Sequence, residues 1–223
     1  MHITSLERPR LVFSDKTDVS IRLRELQLTP EALIETVRMG QDARANSTLN
    51  DPPSATGIHG WGRTVRGLRE NTQPLGYVRY SVDNIHGVIN EAGTVVILVS
   101  TGDSGTGDAA AIPKTAYPKG IKVQAVVREN ARQMSFFFPD DIVPIRRCAE
   151  PDPKCMYWLL VVYEGEEEVR CELSLPDRVG EDERIEAWAE RIILESIPLD
   201  PMPRISSMPD MEPDLDIPLK RKA

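Results

Sequence analysis

Apolar positions along this chain recur at two periods, one suited to helices and one to strands. Arg10-Leu11-Val12-Phe13 and Val19-Ser20-Ile21-Arg22-Leu23 predict short strands, the second by its alternation of apolar and polar residues. Residues 28–39 predict a helix. Thr29 can cap it, Pro30 fits the first helical position where its missing N–H costs nothing, and Glu31 and Glu35 favour the positive end of the dipole. A loop over residues 46–59 opens into Gly60-Trp61-Gly62-Arg63-Thr64-Val65-Arg66-Gly67-Leu68-Arg69. Residues 77–82 predict a strand. Residues 87–90 and 94–100 flank Glu91-Ala92-Gly93 as a hairpin, and residues 95–99, apolar on both faces, predict a central buried strand.

A long polar stretch follows, from Thr101-Gly102-Asp103-Ser104-Gly105-Thr106-Gly107-Asp108 to Pro118-Lys119-Gly120; a loop of this length is often functional. Residues 121–133 fit both periods. Helix is preferred there because residues 128–133 are good helix formers and residues 134–138 make the better strand. Residues 156–163 predict a strand by composition. Val169, Cys171, Leu173 and Leu175 alternate with polar neighbours, which puts Cys171 in a core. Ile185, Trp188, Ala189, Ile192 and Ile193 fall at helical spacing, with Asp182 as a candidate cap, and so predict a helix. The expected fold class is therefore α+β: a mixed or antiparallel sheet with a few packing helices. Region 1–140 leads to a C-terminal strand–strand–helix unit over 141–197, which can share one sheet with it. Residues 198–223 form an extended tail, with six prolines from Pro198 onward.

Charge changes this picture only locally. The 223 residues carry 27 Lys/Arg and 35 Asp/Glu, a net charge of -8. Residues 1–80 hold 11 bases against 9 acids, whereas residues 150–216 hold 6 against 19. A uniformly basic nucleic-acid binder is excluded, and any phosphate contact must be local. No apolar run reaches the length of a membrane span, and the first residues lack a signal peptide's apolar centre, so the expectation is a cytoplasmic protein with no membrane partner. Three cysteines without a CxxC pair, and three histidines without ligand-rich neighbours, predict neither disulfides nor a metal site, and no cofactor is expected.

Three segments are candidates for chemistry. Arg63, Arg66 and Arg69, with Trp61 as a stacking surface and Lys119 as a further cation, form a candidate phosphate or nucleic-acid patch. The glycines of the Gly102 to Gly107 loop follow a buried strand and can turn backbone N–H groups on a phosphate, with Asp103, Ser104 and Asp108 as weak catalytic candidates. The equally simple alternative is a surface turn whose Asp and Ser side chains bond their own backbone. In the tail, Leu215, Ile217 and Leu219 alternate with polar residues or proline and suit docking on a partner.

Two resemblances add context. Gly102-Asp103-Ser104-Gly105 resembles the nucleophile segment of chymotrypsin-like serine proteases for four residues and departs from it at Thr106; neither His59 nor His86 lies in that family's histidine setting. Thr101-Gly102-Asp103-Ser104-Gly105-Thr106-Gly107 with Tyr117-Pro118-Lys119-Gly120, and Cys171-Glu172-Leu173-Ser174-Leu175-Pro176 ahead of Trp188-Ala189-Glu190-Arg191-Ile192, resemble uncharacterised bacterial proteins often carried on phage-like or mobile elements. That resemblance spans residues 48–197 and implies a bacterial cytosolic setting with a role in defence or genome conflict, without specifying an activity. The functional expectation is a non-enzymatic accessory module that binds a protein partner, a second copy or nucleic acid. The alternative is an enzyme acting on a phosphate-bearing substrate through the Gly102 to Gly107 loop, with the three arginines across a cleft from it.

Overall fold

The computed structural model describes residues 11–48, 50–52, 54–82, 85–134 and 154–199. In chain order these form β1 (Leu11–Phe13), α1 (Lys16–Glu25), α2 (Pro30–Ala45), α3 (Ala55–Thr72), β2 (Tyr77–Val82), β3 (Ile85–Asn90), β4 (Val95–Thr101), α4 (Ile121–Met134), β5 (Met156–Glu164), β6 (Glu168–Val179), β7 (Ile185–Ile193) and β8 (Ile197–Pro198). One sheet takes all eight strands in the order β1-β7-β6-β5-β4-β3-β2, with β8 pairing β6 beyond the end of β7. The β1–β7 and β4–β5 pairs are parallel and the others antiparallel. The fold is thus mixed α+β, with both halves of the chain in one sheet.

Side-chain alternation divides the core between the two faces of this sheet. On one face Leu23 of α1, Leu33 and Val37 of α2 and Leu68 of α3 pack on Ile97, Trp158, Leu160, Leu173 and Ile192. Burying each of those leucines is worth about 1.5–3 kcal/mol relative to exposure. On the other face Val127 of α4 packs with Val96, Leu98, Leu159 and Trp188. Asn130 fixes α4 there: its Oδ1 accepts the Tyr157 N–H at 2.9 Å and its Nδ2 donates to the Tyr157 carbonyl at 2.8 Å.

Helix α2 starts as its sequence predicts. Thr29 Oγ1 accepts the Ala32 N–H at 3.2 Å and Pro30 occupies the first turn. Two other segments differ from expectation. Residues 19–23 lie within helix α1, not a strand, because Asp15 caps the Thr17 and Asp18 N–H groups and Val19 and Leu23, four apart, are the buried pair. Ile21, the middle residue of the apparent alternation, is half exposed. Residues 185–193 form strand β7, not a helix, so the C-terminal unit has a third strand where a helix is expected. That segment lies between β1 and β6 with both faces covered, so its buried positions need not follow one period: Ala187, Trp188, Ile192 and the paired Glu190 and Arg191 are all buried. The strand expected over residues 134–138 and the proline-rich tail, with its docking residues Leu215, Ile217 and Leu219, fall outside the described residues apart from Met134, which ends α4, and from Pro198 and Leu199, which pair with β6 and the turn before it. Among the described residues no helix is long and apolar enough to cross a membrane.

Candidate nucleic-acid interface

The glycine-rich loop after β4 is tied down by the protein's own carboxylates. Asp103 Oδ1 accepts the Gly105 N–H at 3.0 Å, and the Asp103 carbonyl accepts the Thr106 N–H at 3.0 Å. Gly107, at φ +74°, donates its N–H to Glu172 Oε2 at 2.9 Å. Asp108 Oδ1 accepts the Ala110 N–H. The N–H groups at Gly105, Thr106 and Gly107 therefore meet internal acceptors, and the Asp side chains bond their local backbone as Asx turns do. Ser104 is exposed, and its carbonyl accepts from Arg170 at 2.7 Å.

Beneath this loop lies a buried ion pair. Glu172 on β6 and Arg191 on β7 are 0% and 2% exposed. Arg191 also donates to the carbonyls of Ala111 at 2.6 Å and Asp108 at 3.1 Å, while Trp188 Nε1 donates to the Pro113 carbonyl at 2.8 Å. Cys171 and Leu173, which flank Glu172, belong to the face covered by α1, α2 and α3, so the loop packs on the opposite face.

The three arginines of α3 take separate surroundings. Arg63 and Arg66 line an outer groove of about 720 Å³ with Met39, Asp42 and His59, and Arg66 pairs with Glu70 at 2.7 Å. Arg69 turns to the hairpin β2–β3, where Nε donates to the Gly87 carbonyl at 3.2 Å and Nη2 to the Tyr80 carbonyl at 3.2 Å and to Ser81 Oγ at 3.0 Å. The helix that carries them lies across the sheet from the Gly102 to Gly107 loop, so the two segments do not face each other over a cleft.

A different cluster forms around Ser81. Arg79 Nε also donates to its hydroxyl, at 3.4 Å, and His86 Nδ1 lies 3.4 Å from the same oxygen. The His86 ring sits 6.2 Å from that of Trp61, which is 43% exposed. Among the described residues no carboxylate pairs with Arg69 or Arg79. Burial, and then the neighbouring Arg79 charge, hold the Arg69 guanidinium below its ordinary pKa. Trp61 and Arg69 are candidates by sequence; Arg79, Ser81 and His86 join them only because the β2–β3 register sets Ser81 opposite His86. In an acidic chain, two guanidiniums without a carboxylate partner beside the exposed Trp61 and the half-buried His86 have the composition of a phosphate and base contact.

Lys119 lies elsewhere, at the C-terminal end of β4. Its Nζ donates to the buried Ser100 Oγ at 2.7 Å, its backbone N–H to the Glu183 carbonyl at 2.8 Å, and its own carbonyl accepts from Gln124. Burial pushes its ammonium down to about 8. Cys171 is inert for the converse reason: burial, reinforced by Glu172, pushes its thiol up to about 12. No group of three or more potential metal ligands occurs among the described residues.

Fold and cluster together define a class: a mixed-sheet α+β protein with helices on both faces and a cationic, aromatic patch beside an open sheet edge. Compared with protein-family models, with curated proteins and with solved structures, the chain matches none of them.

Proposed function

We propose that this chain is an accessory binding module that contacts single-stranded nucleic acid through Trp61, Arg69, Arg79, Ser81 and His86, as part of a bacterial complex of the defence or mobile-element kind. The observation that carries this is the convergence of Arg69 and Arg79 on Ser81 without a carboxylate partner, next to the Trp61–His86 pair. Arg69 spends its fork on the hairpin and holds the patch in place; Arg79 is exposed and meets phosphate, and Trp61 offers a face to a base. Anisotropy of a labelled single-stranded oligonucleotide tests it. Binding should weaken as salt rises. Arg79→Ala should remove about one phosphate contact from the salt slope, and Trp61→Ala should cost about 1–3 kcal/mol. No binding by the unaltered chain at low salt ends the proposal.

The catalytic alternative has its best support at Ser100 and Lys119 rather than in the glycine loop. Above its pKa of about 8 the Lys119 amine would take the Ser100 hydroxyl proton as Oγ adds to an acyl carbonyl, and would return that proton to the leaving group as its bond to the carbonyl carbon breaks, as in serine–lysine pairs. Ser100 is buried, so labelling by a fluorophosphonate probe is the direct test. Labelling of Ser100 that disappears in Lys119→Met supports catalysis, and no labelling removes it.

A further inference from the structure

Strand β2 ends the sheet, and among the described residues no strand pairs with its outer edge. It runs six residues without proline, and its register with β3 is uninterrupted from Tyr77↔Asn90 to Val82↔Ile85. Natural edge strands are usually blunted by a bulge, a proline or charged side chains; β2 has no bulge and no proline, and its one charge is Arg79. The Glu91 N–H donates to the Gly76 carbonyl at 3.1 Å just before the strand. By the alternation of an antiparallel ladder, Val78, Tyr80 and Val82 then bond toward β3, and the N–H and C=O groups of Tyr77, Arg79 and Ser81 point out of the sheet. No described backbone group bonds to these outward groups. On one face of the same edge Val78 and Val82 are 44% and 42% exposed on either side of the buried Tyr80.

The geometry points to a second copy of this chain as the occupant, paired antiparallel through β2 about a two-fold axis at Tyr80. In this register Arg79 of each copy forms the hydrogen-bonded pair with Ser81 of the other, and Val78 of each lies opposite Val82 of the other. The alternation of the ladder allows only shifts of two residues. A shift one way sets Arg79 against Arg79, a like-charge opposition; a shift the other way sets Ser81 against Ser81 and separates the valines. The chosen register is self-complementary in apolar contact and backbone hydrogen bonding, as an isologous interface requires, and it keeps the two Arg79 side chains out of direct opposition. It keeps the same face of both sheets on the same side, so the Arg69–Arg79–Ser81 clusters of two chains flank one seam and form a single cationic strip. This last consequence rests on the nucleic-acid proposal; the pairing itself does not.

Size exclusion with light scattering, without nucleic acid and over about 1 to 100 µM, tests the pairing, since an edge contact of this length gives a modest interface. The mass should rise from 25.0 kDa toward twice that value. Val78→Lys with Val82→Lys alters exposed positions only and should hold the chain monomeric, with the thermal midpoint the unaltered chain shows when diluted to its own monomer. Val78→Cys with Val82→Cys tests the register, because directly opposed residues of a non-hydrogen-bonded pair lie within disulfide reach. Mild oxidation should join position 78 of one copy to position 82 of the other, identified by peptide mass, while Val78→Cys alone should not cross-link to itself. A monomer over the whole concentration range overturns the proposal. So does a dimer that survives the double lysine variant, or a cross-link in another register. A dimer that binds no oligonucleotide leaves the pairing standing and removes the nucleic-acid proposal alone.

Discussion

Glu172 and Arg191 meet across β6 and β7 as a two-point pair, Nη2 to Oε2 at 2.6 Å and Nε to Oε1 at 3.0 Å, with neither side chain reaching water. Most of their remaining capacity is also used: Ser174 Oγ donates to Glu172 Oε1 at 2.7 Å, and Gly107 and the carbonyls of Asp108 and Ala111 supply the other partners. A buried pair with all four carboxylate lone pairs and four of the five guanidinium N–H groups matched can hold a loop in one position, although its net contribution to stability is small.

Removing one partner is therefore expected to cost far more than removing both. Arg191→Met leaves an uncompensated carboxylate under the loop, and about 3–5 kcal/mol of unfolding free energy should be lost in urea titrations. Glu172→Leu combined with Arg191→Met should recover most of that loss while freeing residues 107–111. Faster proteolysis within the loop, with near-normal stability, is the expected signature.

Lys119 sets a pH dependence of definite sign. Its folded pKa is about 8, against 10.5 in the unfolded chain. Below pH 8 the ammonium is charged in both states and its desolvation opposes folding in full. Between about 8 and 10.5 the unfolded chain binds the extra proton, so stability from this group rises with pH. Lys119→Met should thus raise the thermal midpoint at pH 7, and the advantage should shrink toward pH 10.5. An advantage independent of pH would contradict this assignment.

Asn130 substitutes for a strand neighbour at the start of β5. Asn130→Leu leaves the buried Tyr157 N–H and C=O groups unmatched, and the expected cost is about 2–4 kcal/mol, read from chemical denaturation. Asn130→Ala should cost a similar amount, because the loss lies in the unpaired backbone and not in side-chain volume.

Gly87 allows the closest backbone approach in the hairpin. A Cβ there would lie 2.0 Å from the Ile97 carbonyl oxygen, which is backbone and cannot swing aside. Gly87→Ala should separate β3 from β4 at a cost of about 3 kcal/mol or more. Because Arg69 donates to the Gly87 carbonyl, the same variant should also weaken oligonucleotide binding; full stability would show that the strands part without cost.

Local chemistry was legible where the chain acts locally. Thr29 with Pro30 marks the start of α2, and residues 95–99 read directly as a central strand, since a cap or a doubly buried run carries its meaning in a few neighbours. Residues 19–23 and 185–193 were misread because periodicity does not reveal which faces are covered: Ile21 faces outward, whereas Glu190 and Arg191 are buried by partners far along the chain. The site divides in the same way. Trp61 and Arg69 were visible in the sequence, but Arg79 and His86 become neighbours only through hairpin register, and the glycine loop looks open until Glu172, 65 residues beyond Gly107, closes it.

The strand order also governs how the chain can be made. Strand β1, the first described element, takes its place only beside β7, and α1 packs on a face completed by Leu173 and Ile192. A nascent chain that has emerged as far as α4 exposes Leu23, Leu33 and Leu68 without the C-terminal half of the surface that buries them. Closing this face therefore waits for strands made after α4, and pairings as distant as Leu11 with Glu190 are of the kind that slows folding.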